Sequence, residues 1–369
     1  MTPRRALLAA ACVAAVALAA AAATPRAAAS GGYAERPVPV LAYYYLWFAP
    51  SSWNRAKSDY PLLGRYSSDD ELVMRRHVHW AKAAGIDGFV VSWKSTPTLN
   101  RRLAKLVRVA NKLDFQLAII YQGLDFTRRP LPAARVAADI RSFASAYGGN
   151  RAFRLFGKPV VIWSGTRRNT RATIARVAAA VRGDVLLLAS EGSVGGYEAI
   201  ADLVDGDAYY WSSVDPDTYR GYPEKLAAMG TAVHARRGLW IAPAAPGFDA
   251  RLVGGTTVVP RRDGDTLRRE LEAATSSSPD AIGVISWNEF SENSHVEPSR
   301  RYGTRALEVL ADALGTQFRV RADFDSSDGP AAAVGYTAPL FAGLGFLIAI
   351  GVGAVLWRRQ VRRVVDHTS

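Results

Sequence analysis

The sequence predicts an α/β protein built as a (β/α)8 TIM barrel, and three observations carry that prediction. Between residues 38 and 314, short apolar runs alternate with amphipathic runs eight times. The apolar runs are hydrophobic on both faces, as parallel strands covered by helices must be. An open doubly wound sheet would carry a Gly-rich phosphate loop after its first strand, but Tyr43-Tyr44-Tyr45-Leu46-Trp47 stands there instead.

Strands are expected over 38–45, 87–93, 115–121, 159–163, 185–189, 207–211, 239–243 and 281–286. Helices are expected over 68–84, 98–112, 133–147, 170–181, 197–203, 216–236, 265–277 and 301–314. The first helix has the clearest start: Ser67 and Ser68 offer capping oxygens, and Asp69, Asp70 and Glu71 place acids in the first turn. No linker interrupts 38–322, which therefore reads as one domain.

The ends of the 369-residue chain are compositionally separate. Residues 1–30 combine Arg4 and Arg5, an Ala-rich apolar run and small residues, the pattern of a secretory signal peptide. A short lead-in, 31–37, follows. Residues 323–338, rich in Asp, Ser, Gly, Pro and Ala, read as a linker. The uncharged apolar run 339–357 is the length of a transmembrane helix, and Arg358, Arg359, Arg362 and Arg363 open a basic tail, 358–369. The expected arrangement is an extracellular domain on a single-pass membrane anchor.

Charge and cysteine content narrow the function classes. The net charge is +13; removing the leader's three arginines and the tail's net three charges leaves about +7 for residues 27–338. The arginines are scattered rather than interleaved with aromatics, which argues against nucleic acid as partner. Cys12 is the only cysteine and lies in the leader, so the mature chain has no thiolate nucleophile and no zinc–cysteine site. His77 and His79, two apart on a helix, cannot face one metal together. No metal or other cofactor is expected.

The chemistry is expected at the C-terminal strand ends. These read Tyr43-Tyr44-Tyr45, Ser92-Trp93, Tyr121-Gln122, Trp163, Glu191, Tyr209-Tyr210-Trp211, Pro243 and Asn288-Glu289. Aromatic faces pack on the CH faces of sugars, and Asn, Glu and Tyr serve their hydroxyls. The densest cluster is Ser286-Trp287-Asn288-Glu289-Phe290-Ser291-Glu292-Asn293-Ser294-His295-Val296-Glu297-Pro298-Ser299. A spacing of three puts Glu289 and Glu292 on one side of a helical turn, and a pair of carboxyls is what glycoside cleavage requires. His295 is a candidate to bind substrate or orient Glu297, and Asp249 to border the site. Asp87 and Asp207 begin strands and belong to the opposite end.

Several stretches, in order over 38–314, resemble glycoside hydrolase family 99 and its relatives. They are Tyr43-Tyr44-Tyr45-Leu46-Trp47, Pro61-Leu62-Leu63-Gly64-Arg65-Tyr66-Ser67-Ser68, and Ala84-Gly85-Ile86-Asp87-Gly88 leading to Ser92-Trp93. Pro246-Gly247-Phe248-Asp249, Ser286 to Glu292 and Val296-Glu297-Pro298-Ser299 complete the set. That family contains endo-α-mannosidases and endo-α-mannanases. The resemblance implies a (β/α)8 barrel and a retaining, endo-acting α-glycosidase that uses no metal. It implies Glu289 as the base on the sugar 2-hydroxyl and Glu292 as the general acid, with an anhydro-sugar intermediate in place of an enzyme nucleophile. By position, Tyr44, Trp93 and Tyr210 would line the pocket; Tyr121, Asn288 and His295 complete the expected substrate-binding set.

The chain departs from the family where Phe290-Ser291-Glu292-Asn293-Ser294-His295 replaces the usual Trp-His-Glu-Gly-Thr-Gln, and where Gln122 replaces a Glu. The expected function is therefore a membrane-anchored, outward-facing α-glycan hydrolase acting on an α-mannan-like or related polymer. The alternatives are a glycan-binding or wall-organising protein on the same barrel, and a transglycosylase.

Overall fold

A computed structural model describes residues 38–318 apart from Phe126. Eight parallel strands close into a barrel. In chain order they are β1 (Val40–Tyr45), β2 (Gly88–Trp93), β3 (Gln116–Gln122), β4 (Val160–Ser164), β5 (Leu186–Ala189), β6 (Gly206–Ala208), β7 (Leu239–Ala244) and, after a small hairpin, β10 (Ala281–Val284). Each strand pairs with its chain neighbour, and β10 closes on β1 with Leu41 opposite Gly283. The hairpin, β8 (Phe248–Asp249) and β9 (Val258–Val259), lies in the loop after β7 and is not anticipated by the sequence pattern.

Helices follow the strands as α1 (Glu71–Ala83), α2 (Pro97–Leu113), α3 (Ala133–Tyr147), α4 (Arg171–Val181), α5 (Val194–Glu198), α6 (Tyr222–His234), α7 (Asp265–Ser276) and α8 (Arg305–Ala313). Their starts are set by short polar side chains. Asp70 accepts from the Leu72 N–H, Thr96 from Leu99 with Pro97 in the first turn, and Thr170 from Thr173. The sixth helix-like run, expected from residue 216, begins at Tyr222, because residues 209–221 form a long loop instead.

Alternation along each strand divides the core in two. Leu41, Tyr43, Val90, Ile120, Ile162, Leu188, Ile241 and Ile285 fill the barrel interior. Val40, Ala42, Tyr44, Phe89, Val91, Tyr121 and Trp163 belong to the larger layer between sheet and helices. Gly283 makes room for Tyr43 inside the barrel, since a Cβ there would stand 3.0 Å from the ring.

The N-terminal ends of the strands are tied by aspartates that accept backbone N–H groups across the sheet. Asp87 takes Val40 at 2.8 Å, Asp205 takes Leu187 at 2.8 Å and Asp280 takes Trp240 at 2.8 Å. Asp87 thus sits at the structural end, as expected. Asp207 does not: β6 is only three residues long, and Asp207 accepts the Glu191 N–H at the far end of β5.

One expectation is corrected. The described fold is the barrel, and among the described residues no helix is long and apolar enough to cross a membrane. The span expected at 339–357, the leader, the linker and the basic tail lie outside the described residues. The membrane-anchored, outward-facing topology, the membrane as partner and the single-pass localisation are therefore not carried forward.

Candidate active site

The acid pair is built by the loop that follows β10. The loop closes on itself: Ser286 N–H donates to the Ser294 carbonyl at 2.8 Å, and Val296 N–H returns to the Ser286 carbonyl at 2.8 Å. Trp287 N–H continues the barrel ladder onto the Tyr43 carbonyl at 2.7 Å. Residues 290–293 form a turn rather than the helix assumed from the spacing, with Asn293 in the left-handed region at φ 56°. Arg261 fixes the far side of the turn through the carbonyls of Asn293 (2.9 Å) and His295 (2.6 Å). The hairpin loop also touches it, as Asp249 N–H donates to the Glu292 carbonyl at 2.7 Å. The Asp249 side chain is committed to Arg251.

Both acids are buried, Glu289 at 2% and Glu292 at 1% exposure. Glu289 Oε1 accepts the Ser291 N–H at 2.9 Å, and its own N–H is held by Ser286 Oγ at 2.8 Å. Among the described residues Glu292 Oε1 has no hydrogen-bond partner. Burial raises both carboxyls. It takes Glu289 up to about 7, with the Ser291 N–H and the charge of Lys57 opposing. Glu292 goes well above the carboxylate range, because burial is reinforced by the negative charge of Glu289 and only weakly opposed by Arg128. The two carboxyls are thus electrostatically linked and driven apart in acidity, Glu292 the weaker acid.

Tyr210 stands beside this pair. Its hydroxyl meets that of Tyr45 at 2.5 Å, and its ring lies edge-on to Tyr43 at 5.0 Å. Tyr45 stacks on Trp47 at 4.2 Å. Charges on Glu289 and Glu292 help hold both phenols protonated, after the larger effect of burial.

Asn288 does not reach towards ligand. Its amide grips the backbone of Tyr45, Oδ1 accepting from the N–H at 2.8 Å and Nδ2 donating to the carbonyl at 3.1 Å, so it locks the acid loop to the end of β1. His295 is also internal. It stacks on Phe290 at 4.1 Å and lies 3.5 Å from Asp59; burial holds it neutral down to about 3.

Three of the expected substrate-binding aromatics are placed elsewhere. Tyr44, Trp93 and Tyr121 all face the helices rather than the barrel mouth. Trp93 donates to Asn100 on α2 at 2.9 Å, and Tyr121 donates to Asp139 on α3 at 2.9 Å. The reason is the two-residue period of a strand: the aromatic at each strand end was legible, but the face it takes depends on register. The inward neighbours are Tyr45, Ser92 and Gln122, with Gln122 donating to Ser92 at 3.0 Å.

Tyr44 has a different task. Its hydroxyl meets His77 Nδ1 at 2.9 Å, and His77 Nε2 meets Glu297 Oε1 at 3.0 Å. Tyr66 donates to Glu297 Oε2 at 2.8 Å and accepts from Asn288 at 3.3 Å. All five side chains are buried. This network orients Glu297, the part once assigned to His295. It joins β1, α1 and the loop before α1 to the acid loop. The sequence pattern only excluded His77 as a shared metal ligand, its partner lying 220 residues away, and singled out neither Lys57 nor Arg128. Only the fold brings these together.

Comparison with known proteins agrees with this architecture. The family model of glycosyl hydrolase family 71 matches residues 63–313. Comparison with curated proteins returns no match. Among solved structures, a GH99 endo-α-mannosidase from Bacteroides thetaiotaomicron superposes with a TM-score of 0.67 at 22% identity, covering 75% of this chain and 97% of that one. A second structure of a GH99 endo-α-mannosidase from the same organism gives 0.64 at 20% identity, over 74% and 98%. A glycoside hydrolase-like protein gives 0.58 at 16% identity, over 77% and 94%. At these identities the likeness establishes a family-99-like fold, and not membership of family 99. The family match covers the barrel from the loop before α1 to the end of α8, more than half of the chain, and so the protein belongs to glycosyl hydrolase family 71.

Proposed function

We propose that the protein is an endo-acting, retaining hydrolase of an α-linked glycan of the α-mannan or a related type. Glu292 serves as general acid and Glu289 as base. The observation that carries this reading is the pair of buried carboxyls on one turn at the end of the last barrel strand, with Glu292 Oε1 left without a hydrogen-bond partner among the described residues.

In the first step Glu292 gives its proton to the glycosidic oxygen as the C1–O bond breaks. Glu289 accepts the proton of the neighbouring 2-hydroxyl, whose oxygen closes on C1 to form a 1,2-anhydro sugar. In the second step water attacks C1 as the C1–O2 bond breaks, the carboxylate of Glu292 takes the water proton, and Glu289 returns its proton to O2. Each carboxyl ends as it began, and no covalent enzyme intermediate is needed. Tyr210 and Tyr45 offer hydroxyls, and Trp47 an apolar face, to the sugar bound there.

The test is digestion of a panel of α-mannans and α-glucans with the purified protein, with products identified by mass spectrometry. Oligosaccharides should appear, with the newly formed α-anomer seen first by NMR, and Glu292→Gln should stop their release in a folded protein. A folded wild-type protein that binds these glycans but releases nothing overturns the enzyme reading. A first-formed β-anomer overturns retention and the anhydro step.

A further inference from the structure

Five cations at the acid-pair end of the barrel, four on loops and one at the start of α6, form no ion pair with a carboxylate among the described residues: Lys57, Arg128, Arg167, Arg168 and Lys225. Other cations are ion-paired, among them Arg101 and Arg102 with Asp69, Arg171 with Asp202, Arg269 with Asp217 and Arg305 with Asp263.

The five form a strip. Lys57 lies within the field of Glu289 and Arg128 within that of Glu292. Arg168 donates to the Arg128 carbonyl at 3.2 Å, and Arg167 is its neighbour in the turn after β4. Arg167 approaches the turn after β5 so closely that a Cβ on Gly192 would stand 3.2 Å from its Nη1 and 3.3 Å from the Tyr209 ring. Lys225, half-buried in the first turn of α6, holds its ammonium over the rings of Trp211 (4.8 Å) and Tyr209 (5.2 Å). Trp211 also meets the exposed Tyr219 edge-on at 5.5 Å. No nearby carboxyl forms an ion pair with the strip among the described residues. Glu191 is buried against Thr166 at 2.6 Å, Asp207 is buried against the Glu191 N–H, and Asp125 accepts from Thr127 and from the Arg129 backbone.

Aromatic faces that hold a sugar ring, flanked by a guanidinium and an ammonium, recognise a sugar that carries an anion. Resting on the reading of this barrel end as a glycan cleft, we propose that the natural substrate is an acidic glycan. One of its carboxylate or phosphate groups binds between Arg167 and Lys225 while the ring lies against Trp211.

The experiment measures binding to the full-length Glu292→Gln protein, so that turnover does not enter. Three probes share one backbone: a neutral α-mannan, the same mannan with primary hydroxyls oxidised to carboxylates, and a phosphate-bearing α-mannan. At low ionic strength one or both anionic forms should bind about tenfold more tightly than the neutral form, and high salt should erase the difference. The probe preferred distinguishes carboxylate from phosphate. Arg167→Gln with Lys225→Gln should abolish the discrimination. The control pair Arg236→Gln with Arg237→Gln, exposed at the opposite end of α6, should keep it. Equal affinity for all three probes overturns the proposal, as does equal loss in both double variants, which would mean attraction to bulk charge. Anionic preference without cleavage by the wild type refutes only the hydrolase reading. Cleavage without anionic preference refutes only this one.

Discussion

At the scale of single residues, the site depends on burying two carboxyls that water would ionise. Such a carboxyl is protonated in both states at acid pH, so its burial costs no ionisation energy there. As pH rises from its ordinary 4.5 towards about 7, the unfolded chain gives up the Glu289 proton while the folded chain retains it, and stability falls across that window. Glu292, raised further, extends the loss to higher pH. Replacing either acid by its amide should therefore raise the melting temperature at neutral pH, by differential scanning fluorimetry, while Glu292→Gln lowers kcat by about 10²–10⁴-fold. The rate of the wild-type protein should follow a bell. Its rising limb near 7 marks ionisation of Glu289, and its falling limb marks loss of the Glu292 proton; Glu289→Gln should remove most turnover at every pH. A pH–rate profile without a rising limb in that region contradicts the assignment of Glu289 as base.

At the scale of elements, the acid loop is held by a polar network rather than by its own secondary structure. Glu297 receives His77 from α1 and Tyr66 from the loop before it, and Asn288 locks the backbone of β1. Removing Glu297 leaves buried donors without acceptors. Glu297→Ala should lower stability by about 3–5 kcal/mol in urea denaturation, and kcat should fall with it because the network carries the loop that bears both acids. Asn288→Ala should lower kcat with a smaller loss of stability, since it frees two backbone groups of Tyr45 and leaves the His77 link intact. Equal kcat in the wild type and Asn288→Ala would show that the clamp is only structural.

At the scale of the whole molecule, the two ends of the barrel divide the work. The aspartates at the N-terminal ends tie neighbouring strands and touch nothing near the acids. Asp87→Ala should lower stability by about 1 kcal/mol, through the Val40 N–H it leaves unpaired, and leave kcat unchanged. At the other end Lys57, Arg128, Arg167, Arg168 and Lys225 leave the mouth positively charged, and this decides which polymers approach it.

By itself the sequence determined the eight-fold alternation, the strand and most helix positions to within a few residues, and the acid-bearing turn after the last strand. These follow from local hydrophobic period and from capping and acid residues adjacent in the chain. It left open which face each strand-end aromatic takes. The same letters could put Tyr44 or Tyr45 in the mouth, and only the register of the closed barrel, Leu41 opposite both Gly88 and Gly283, placed Tyr45 there. Tertiary structure also decided the long-range partnerships of Tyr44, His77, Glu297, Tyr66 and Asn288, and the gathering of cations from three separate loops and the start of α6. Such contacts join residues with no periodic relation along the chain, so their physics exists only once the barrel has closed.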